Sequence, residues 1–286
     1  MSHSTAAAAL RATVRSVSRG LIEREALVEL IALAAVAQEH VLVIGPPGTA
    51  KSAAVRRVAK GFQGAYFEYL LGRFSEPSEL FGPINIKRLR DGVVETETAG
   101  MLPEAEIAFL DEVFLGSTAI LNTLLGILNE RTFVRGHTRM ECKLRVCVGA
   151  ANSVPGDESL AAFADRFLIH TFVEPIADPR LEELLEAGWG LLKPAEISSA
   201  EISDIDTLSA VARAVDLRAA RPVLANAIRT LRSAGIALSD RRCVKLQSLV
   251  AAAAAIDGRT AADDRERDSG ASECPNSVGQ DRARRS

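Results

Sequence analysis

The chain has 286 residues, 48% of them apolar, which suffices for one large domain plus a small one with packed cores. With 34 Lys and Arg against 37 Asp and Glu the net charge is −3, so the overall balance points neither to a nucleic-acid backbone nor to an anionic membrane. The four cysteines (Cys142, Cys147, Cys243, Cys274) form no CxxC pair and the four histidines have no metal-ligand spacing with them or with one another, and a reducing cytosol fits best.

Apolar residues recur at helical spacing from Ala6 to Val17 and from Ile22 to Gln38, with Glu23, Glu25, Glu29 and Glu39 on the other side, so two helices open the chain. Leu27 to Ala37 is broken by Glu29 and too short to span a bilayer, and no signal peptide or membrane insertion is expected. Val41-Leu42-Val43-Ile44 reads as a strand buried on both faces of a parallel sheet. Gly45-Pro46-Pro47-Gly48-Thr49-Ala50-Lys51-Ser52 follows, and then Ala53 to Ala59, good helix material.

A glycine-rich turn between strand and helix, ending in Lys-Ser, is a phosphate cradle. Its backbone N–H groups close on a phosphate, the helix N-terminus adds partial positive charge, Lys51 reaches the β- and γ-phosphates, and Ser52 is placed to hold Mg²⁺. Ala50 stands where the pattern has Gly, and only a positive φ would disfavour it there.

Ala65 to Tyr69 reads as a second strand, and Gly72 to Gly92 as an insertion of turn formers, in which Phe81 either packs under its own loop or touches a substrate. Ile107-Ala108-Phe109-Leu110 is another buried strand, ending in Asp111-Glu112 on the edge where parallel sheets bind ligands. There Asp111 would hold Mg²⁺, and Glu112, pointing elsewhere, would polarise the water that attacks the γ-phosphate.

Ser117 caps an amphipathic helix through Leu128, and Thr132 to Leu144 folds as a hairpin about Gly136-His137-Thr138. Arg145 to Ala151 makes a fourth buried strand, with Cys147 as core filling and Asn152 at its end, either contacting a γ-phosphate or the attacking water, or serving the turn that follows. A helix from Asp157 to Ala164 leads to Asp165-Arg166-Phe167 and a fifth strand, Leu168 to Val173. Arg166 thus stands at a helix–strand junction, able to project outward or to pair with Asp165. Beyond Glu174-Pro175 and Asp178-Pro179 the strands stop and three helical patterns follow: Ile205 to Val215, Arg221 to Ser233, and Arg241 to Ile256. Arg241 and Arg242 sit in a helix's first turn, an unfavourable place for cations unless they face an anion. From Arg259 onward there is almost nothing to bury, and disorder is expected.

In this order of parts the chain resembles the MoxR group of AAA+ ATPases, closest to the RavA branch, over about Leu10 to Arg259. The resemblance rests on Glu39 to Gly48, Leu102-Pro103-Glu104-Ala105-Glu106-Ile107 running into Phe109 to Val113, Ile120 to Leu125, Asn129-Glu130-Arg131 and Ser239-Asp240-Arg241-Arg242. It departs at Cys243, where the family has an aromatic residue. The resemblance implies an α/β fold: an AAA+ P-loop core with a parallel five-stranded sheet and helix-2 insert, followed by a small all-α lid domain. Residues 1–180 would form the core, 181–259 the lid and 260–286 a disordered polar tail. By position it makes Gly45 to Ser52 the Walker A motif, Asp111 and Glu112 the Walker B pair, Asn152 sensor 1, Arg166 the arginine finger and Arg241 sensor 2. Ser75 to Gly92 becomes the helix-2 insert and Thr132 to Leu144 the pre-sensor hairpin, both facing the pore of a ring.

The expected protein is therefore a cytoplasmic ATPase using ATP and Mg²⁺, a homo-oligomer forming a hexameric ring that remodels protein substrates, with a von Willebrand factor A domain protein as its partner. Nucleotide is expected between the core and lid of one subunit and Arg166 of its neighbour. Two other readings stand beside it: a nucleic-acid motor, served by Arg135, Arg139 and Lys143 on the hairpin, and a nucleotide-gated binding module with little turnover.

Overall fold

A computed structural model describes residues 2–154, 156–191, 197–236 and 238–262 of the chain. In order the elements are α1 (His3–Ser18), α2 (Glu25–Ala37), β1 (Val41–Ile44), α3 (Lys51–Phe62), β2 (Tyr66–Leu70), α4 (Pro77–Phe81), α5 (Ile86–Arg90), β3 (Ile107–Asp111), α6 (Thr118–Glu130), β4 (Thr132–Arg135), β5 (Thr138–Glu141), β6 (Val146–Ala151), α7 (Glu158–Ala164), β7 (Ile169–Phe172), α8 (Leu181–Gly190), α9 (Ile202–Arg213), α10 (Ala220–Ser233) and α11 (Asp240–Ile256).

The sheet runs β2-β3-β6-β1-β7 with every pairing parallel. β1 and β6, next to each other in its middle, are buried at every position, as strands covered on both faces must be. Side chains alternate between the faces. Val41, Val43, Phe109 and Val148 pack with α1, α2 and α3, while Leu42, Ile44, Leu110 and Cys147 pack with Ile120, Leu124 and Leu128 of α6 and with Phe163 and Phe167. Burial pushes the Cys147 thiol up to about 12, in keeping with core filling.

The insertion between β2 and β3 is not an isolated loop. Phe81 is fully buried, its ring stacked on Phe133 of β4 at 5.6 Å, which decides between its two expected roles in favour of packing. Arg135 donates to the Gly82 carbonyl at 2.9 Å and the Thr96 N–H to the Thr138 hydroxyl at 2.7 Å, so insertion and hairpin form one unit.

Two elements depart from the sequence pattern. α2 begins at Glu25 rather than Ile22, because the chain first makes a turn in which Glu23 takes φ 55°. α8 was not foreseen, since its apolar residues are not buried: Leu185 is 65% and Trp189 73% exposed. α9 and α11 fold back on the first face of the sheet, where Ile205, Leu208, Ala252 and Ala255 share one core with α1 and α2. The polar tail expected from residue 260 lies outside the described residues from 263 onward.

Candidate active site

The loop after β1 is drawn tight against the exit of β7. A Cβ on Gly45 would meet the Val173 carbonyl oxygen at 2.1 Å, so only glycine fits there. Gly48 follows at φ 81° and Ala50 at φ 61°, ψ 22°. The one geometry that disfavours alanine at position 50 is therefore the geometry found, and the chain bears left-handed strain at that residue. Among the described residues no acceptor meets the backbone N–H of Gly48, Ala50, Lys51, Ser52 or Ala53. Lys51 is 7% exposed and lies along the loop, its Nζ donating to the Gly45 carbonyl at 2.7 Å and the Pro46 carbonyl at 3.0 Å. Five unpaired N–H groups, a helix N-terminus and a buried ammonium in one concavity fit an anion of phosphate type.

The acidic pair joins this loop through the sheet. β3 lies beside β6, and β6 beside β1, with Ile44 opposite Ala151 and the Gly45 N–H bonded to the Ala151 carbonyl at 3.0 Å. Asp111, Asn152 and Gly45 thus emerge at the carboxyl ends of three adjacent strands. Asp111 accepts the Glu112 N–H at 3.0 Å, and Glu112, itself left-handed at φ 51°, accepts a hydrogen bond from the Asn152 amide at 2.5 Å. Asp111 and the half-buried Ser52 offer hard oxygen donors of the kind Mg²⁺ takes with phosphate oxygens. This hydrogen bond sets Asn152 beside Glu112 at the strand ends.

Arg166 and Arg241 are not brought to this edge. Arg166 lies in the α7–β7 connection, Asp165 accepts the Ser239 hydroxyl, shared between its two oxygens at 3.1 and 3.0 Å, and Arg242 donates to the Leu168 carbonyl at 3.0 Å. Leu168 precedes Ile169, which pairs with the first residue of β1, whereas the phosphate loop follows the last. The two edges are a strand's length apart, about 16 Å. A nucleotide held between this loop and Arg241 of the same chain, as expected from the sequence, does not follow from the structure. Arg166 forms no ion pair among the described residues, and its Nε is buried without a hydrogen-bond partner. Arg241 is exposed.

Two buried groups carried no sequence signal beyond their type. His40 lies fully buried at the amino end of β1, accepting the Cys147 N–H at 3.0 Å on Nδ1 and contacting the Leu128 carbonyl at 3.0 Å through Nε2. Burial, and then the Arg131 guanidinium beside it, hold its pKa well below the ordinary range. Arg24, 5% exposed, donates to the Thr49 carbonyl in the phosphate loop at 3.0 Å and to the Glu174 carbonyl at 2.6 Å.

A family model described as the MoxR domain in MoxR-vWA-beta-propeller ternary systems matches residues 8–210. Two uncharacterized proteins of Methanocaldococcus jannaschii are 36% identical over 249 residues and 35% identical over 244 residues, covering 86% and 85% of this chain. The chain spans 66% and 63% of the length of those relatives. In fold it is similar to the crystal structure of a protein from Cytophaga hutchinsonii proposed to be an ATPase, with a TM-score of 0.76 at 14% identity over 93% of this chain and 86% of that one.

Proposed function

Since the chain belongs to the MoxR family of AAA+ ATPases, whose model covers residues 8–210, we propose that the strand-end cluster hydrolyses ATP at an interface between two copies of the chain, in a ring. The observation that carries this reading is the convergence of the unpaired loop N–H groups, Lys51, Asp111 and the Glu112–Asn152 pair on the carboxyl ends of β1, β3 and β6.

In this reading Lys51 leaves the Gly45 and Pro46 carbonyls for the phosphates, and the N–H groups from Gly48 to Ala53 hold them. Asp111 and Ser52 are the donors for Mg²⁺, which would neutralise developing phosphate charge. Glu112 accepts the proton of the attacking water, and Asn152, bonded to its carboxylate, fixes its direction. Arg166, with Arg241 and Arg242 on the same far edge of the sheet, faces the phosphates of the neighbouring subunit. That placement supports a ring over a monomer, because the cations and the cradle of one chain lie on opposite edges.

The buried Phe81–Phe133 unit would present the insert and hairpin to a protein substrate, and the MoxR-vWA-beta-propeller systems for which the matching family is described support a von Willebrand factor A domain partner. Among the described residues no helix is long and apolar enough to cross a membrane. ATP turnover measured against protein concentration tests chemistry and assembly together. Specific activity should rise with concentration, and Lys51→Ala should abolish ADP and ATP binding in a titration. Near-parent affinity in that variant would reject the cradle.

A further inference from the structure

Arg24 is a buried guanidinium that forms no ion pair among the described residues. Its donors go to three backbone carbonyls: Nε to Thr49 at 3.0 Å, Nη1 to Glu23 at 2.8 Å and Nη2 to Glu174 at 2.6 Å. Three charge-assisted bonds to main-chain oxygens fix the backbone they touch more firmly than neutral bonds would. Of the three carbonyls, that of Thr49 matters for chemistry, because it belongs to the peptide joining Thr49 to Ala50.

A trans peptide is planar, so its C=O and N–H point in opposite directions. With the Thr49 oxygen turned back to Arg24, the Ala50 N–H must turn the other way, and no acceptor among the described residues meets it. The same orientation forces φ 61° on Ala50, which a residue with a Cβ resists. Rotating this one peptide by half a turn would release the strain. It would also replace a donor with a carbonyl oxygen facing the phosphate.

We propose that Arg24 is a positioning residue for the phosphate cradle: it holds the Thr49 carbonyl from behind and so keeps the Ala50 N–H available to the anion, against the left-handed strain on Ala50. The proposal rests on the reading of this loop as a nucleotide phosphate site. The guanidinium also ties the loop to Glu174, directly after the strand that closes on Gly45, so cradle and strand exit are held by one side chain.

The test is a double-substitution cycle on the full chain, with ADP affinity read by calorimetry and the melting temperature read without nucleotide. Arg24→Met keeps the length of the side chain and removes its donors. It should weaken ADP binding at least tenfold. Ala50→Gly removes the Cβ, and with it a left-handed penalty worth roughly five- to thirtyfold in an equilibrium, so the cradle geometry survives better without its support. In the Ala50→Gly background the loss caused by Arg24→Met should therefore shrink by about fivefold or more.

A purely structural Arg24 predicts the same fold loss in both backgrounds, and that result, or an Arg24→Met chain binding ADP like the parent, overturns the proposal. Should Arg24→Met not fold, Arg24→Lys keeps the charge in place, but its single ammonium cannot reach three carbonyls. It should show the same dependence on Ala50→Gly, and parent affinity in this variant counts against the proposal. A parent chain that binds no ADP removes the nucleotide reading itself. A parent that binds, with binding lost in Lys51→Ala and unaffected in Arg24→Met, removes the Arg24 inference alone.

Discussion

The two edges of the central sheet are built in opposite ways. At the carboxyl edge, each functional group sits within a few residues of its own strand end, and the groups are already connected: Glu112 to Asn152 at 2.5 Å, Gly45 to Ala151 at 3.0 Å. At the amino edge, the guanidinium groups of Arg166 and Arg242 each bury an Nε with no partner, and they come from a helix–strand junction and from α11, more than seventy residues apart in the chain. The first edge gathers unpaired N–H groups, an ammonium and carboxylates in one place. At the second edge neither Arg166 nor Arg242 forms an ion pair among the described residues, the nearby Asp165 being taken by the Ser239 hydroxyl. The difference teaches that one copy of the chain carries two unlike halves, which under the proposed function a second copy would complete.

The strongest attempt to break this comparison is Arg166→Ala. It should bind ATP and lose about 10³–10⁵ in turnover, the worth of a trans-acting arginine. Mixed with Lys51→Ala, which keeps its arginine and lacks the ammonium, it should recover part of the activity, since some interfaces then join an intact loop to an intact Arg166. Zero turnover in rings shown by mass to be mixed would reject the division between edges.

Glu112→Gln probes the carboxyl edge alone. It keeps the hydrogen-bonding shape beside Asn152 and removes the base, so ATP should bind and turnover should fall by about 10²–10⁴. Parent-like turnover would assign the base to another residue. Phe81→Ala should act through packing instead, costing about 3–5 kcal/mol in denaturant unfolding because the ring is fully buried on Phe133. Loss of ADP affinity without loss of stability would show that the insert serves the site directly.

The smallest effect belongs to His40, behind the amino edge. Its folded pKa is depressed, so the unfolded chain binds the extra proton first, and stability is full above the unfolded value of about 6.5. Below that it should fall by up to about 1.4 kcal/mol per pH unit until the folded imidazole titrates too. Unfolding measured between pH 7 and pH 5 should show a shallower slope in His40→Asn, and an unchanged slope would assign the acid loss to other groups.

Sequence alone determined which groups stand at the carboxyl edge. A buried strand followed by Gly45 to Ser52, another followed by Asp111-Glu112 and a third by Asn152 are local signals, and a parallel sheet sets the ends of its strands on one side whatever their order. Tertiary structure alone decided the rest. That β1 lies between β6 and β7 brings Asn152 beside the loop and Val173 onto Gly45. That Arg24 reaches the Thr49 carbonyl, 25 residues on, depends on how the turn before α2 packs under the loop. The left-handed Ala50, the burial of Phe81 on a hairpin about fifty residues later, and the placement of Arg241 on the edge away from its own loop likewise depend on which distant surfaces meet. Periodicity and spacing report how a segment presents its side chains; burial and backbone strain are fixed by what the whole chain packs against it.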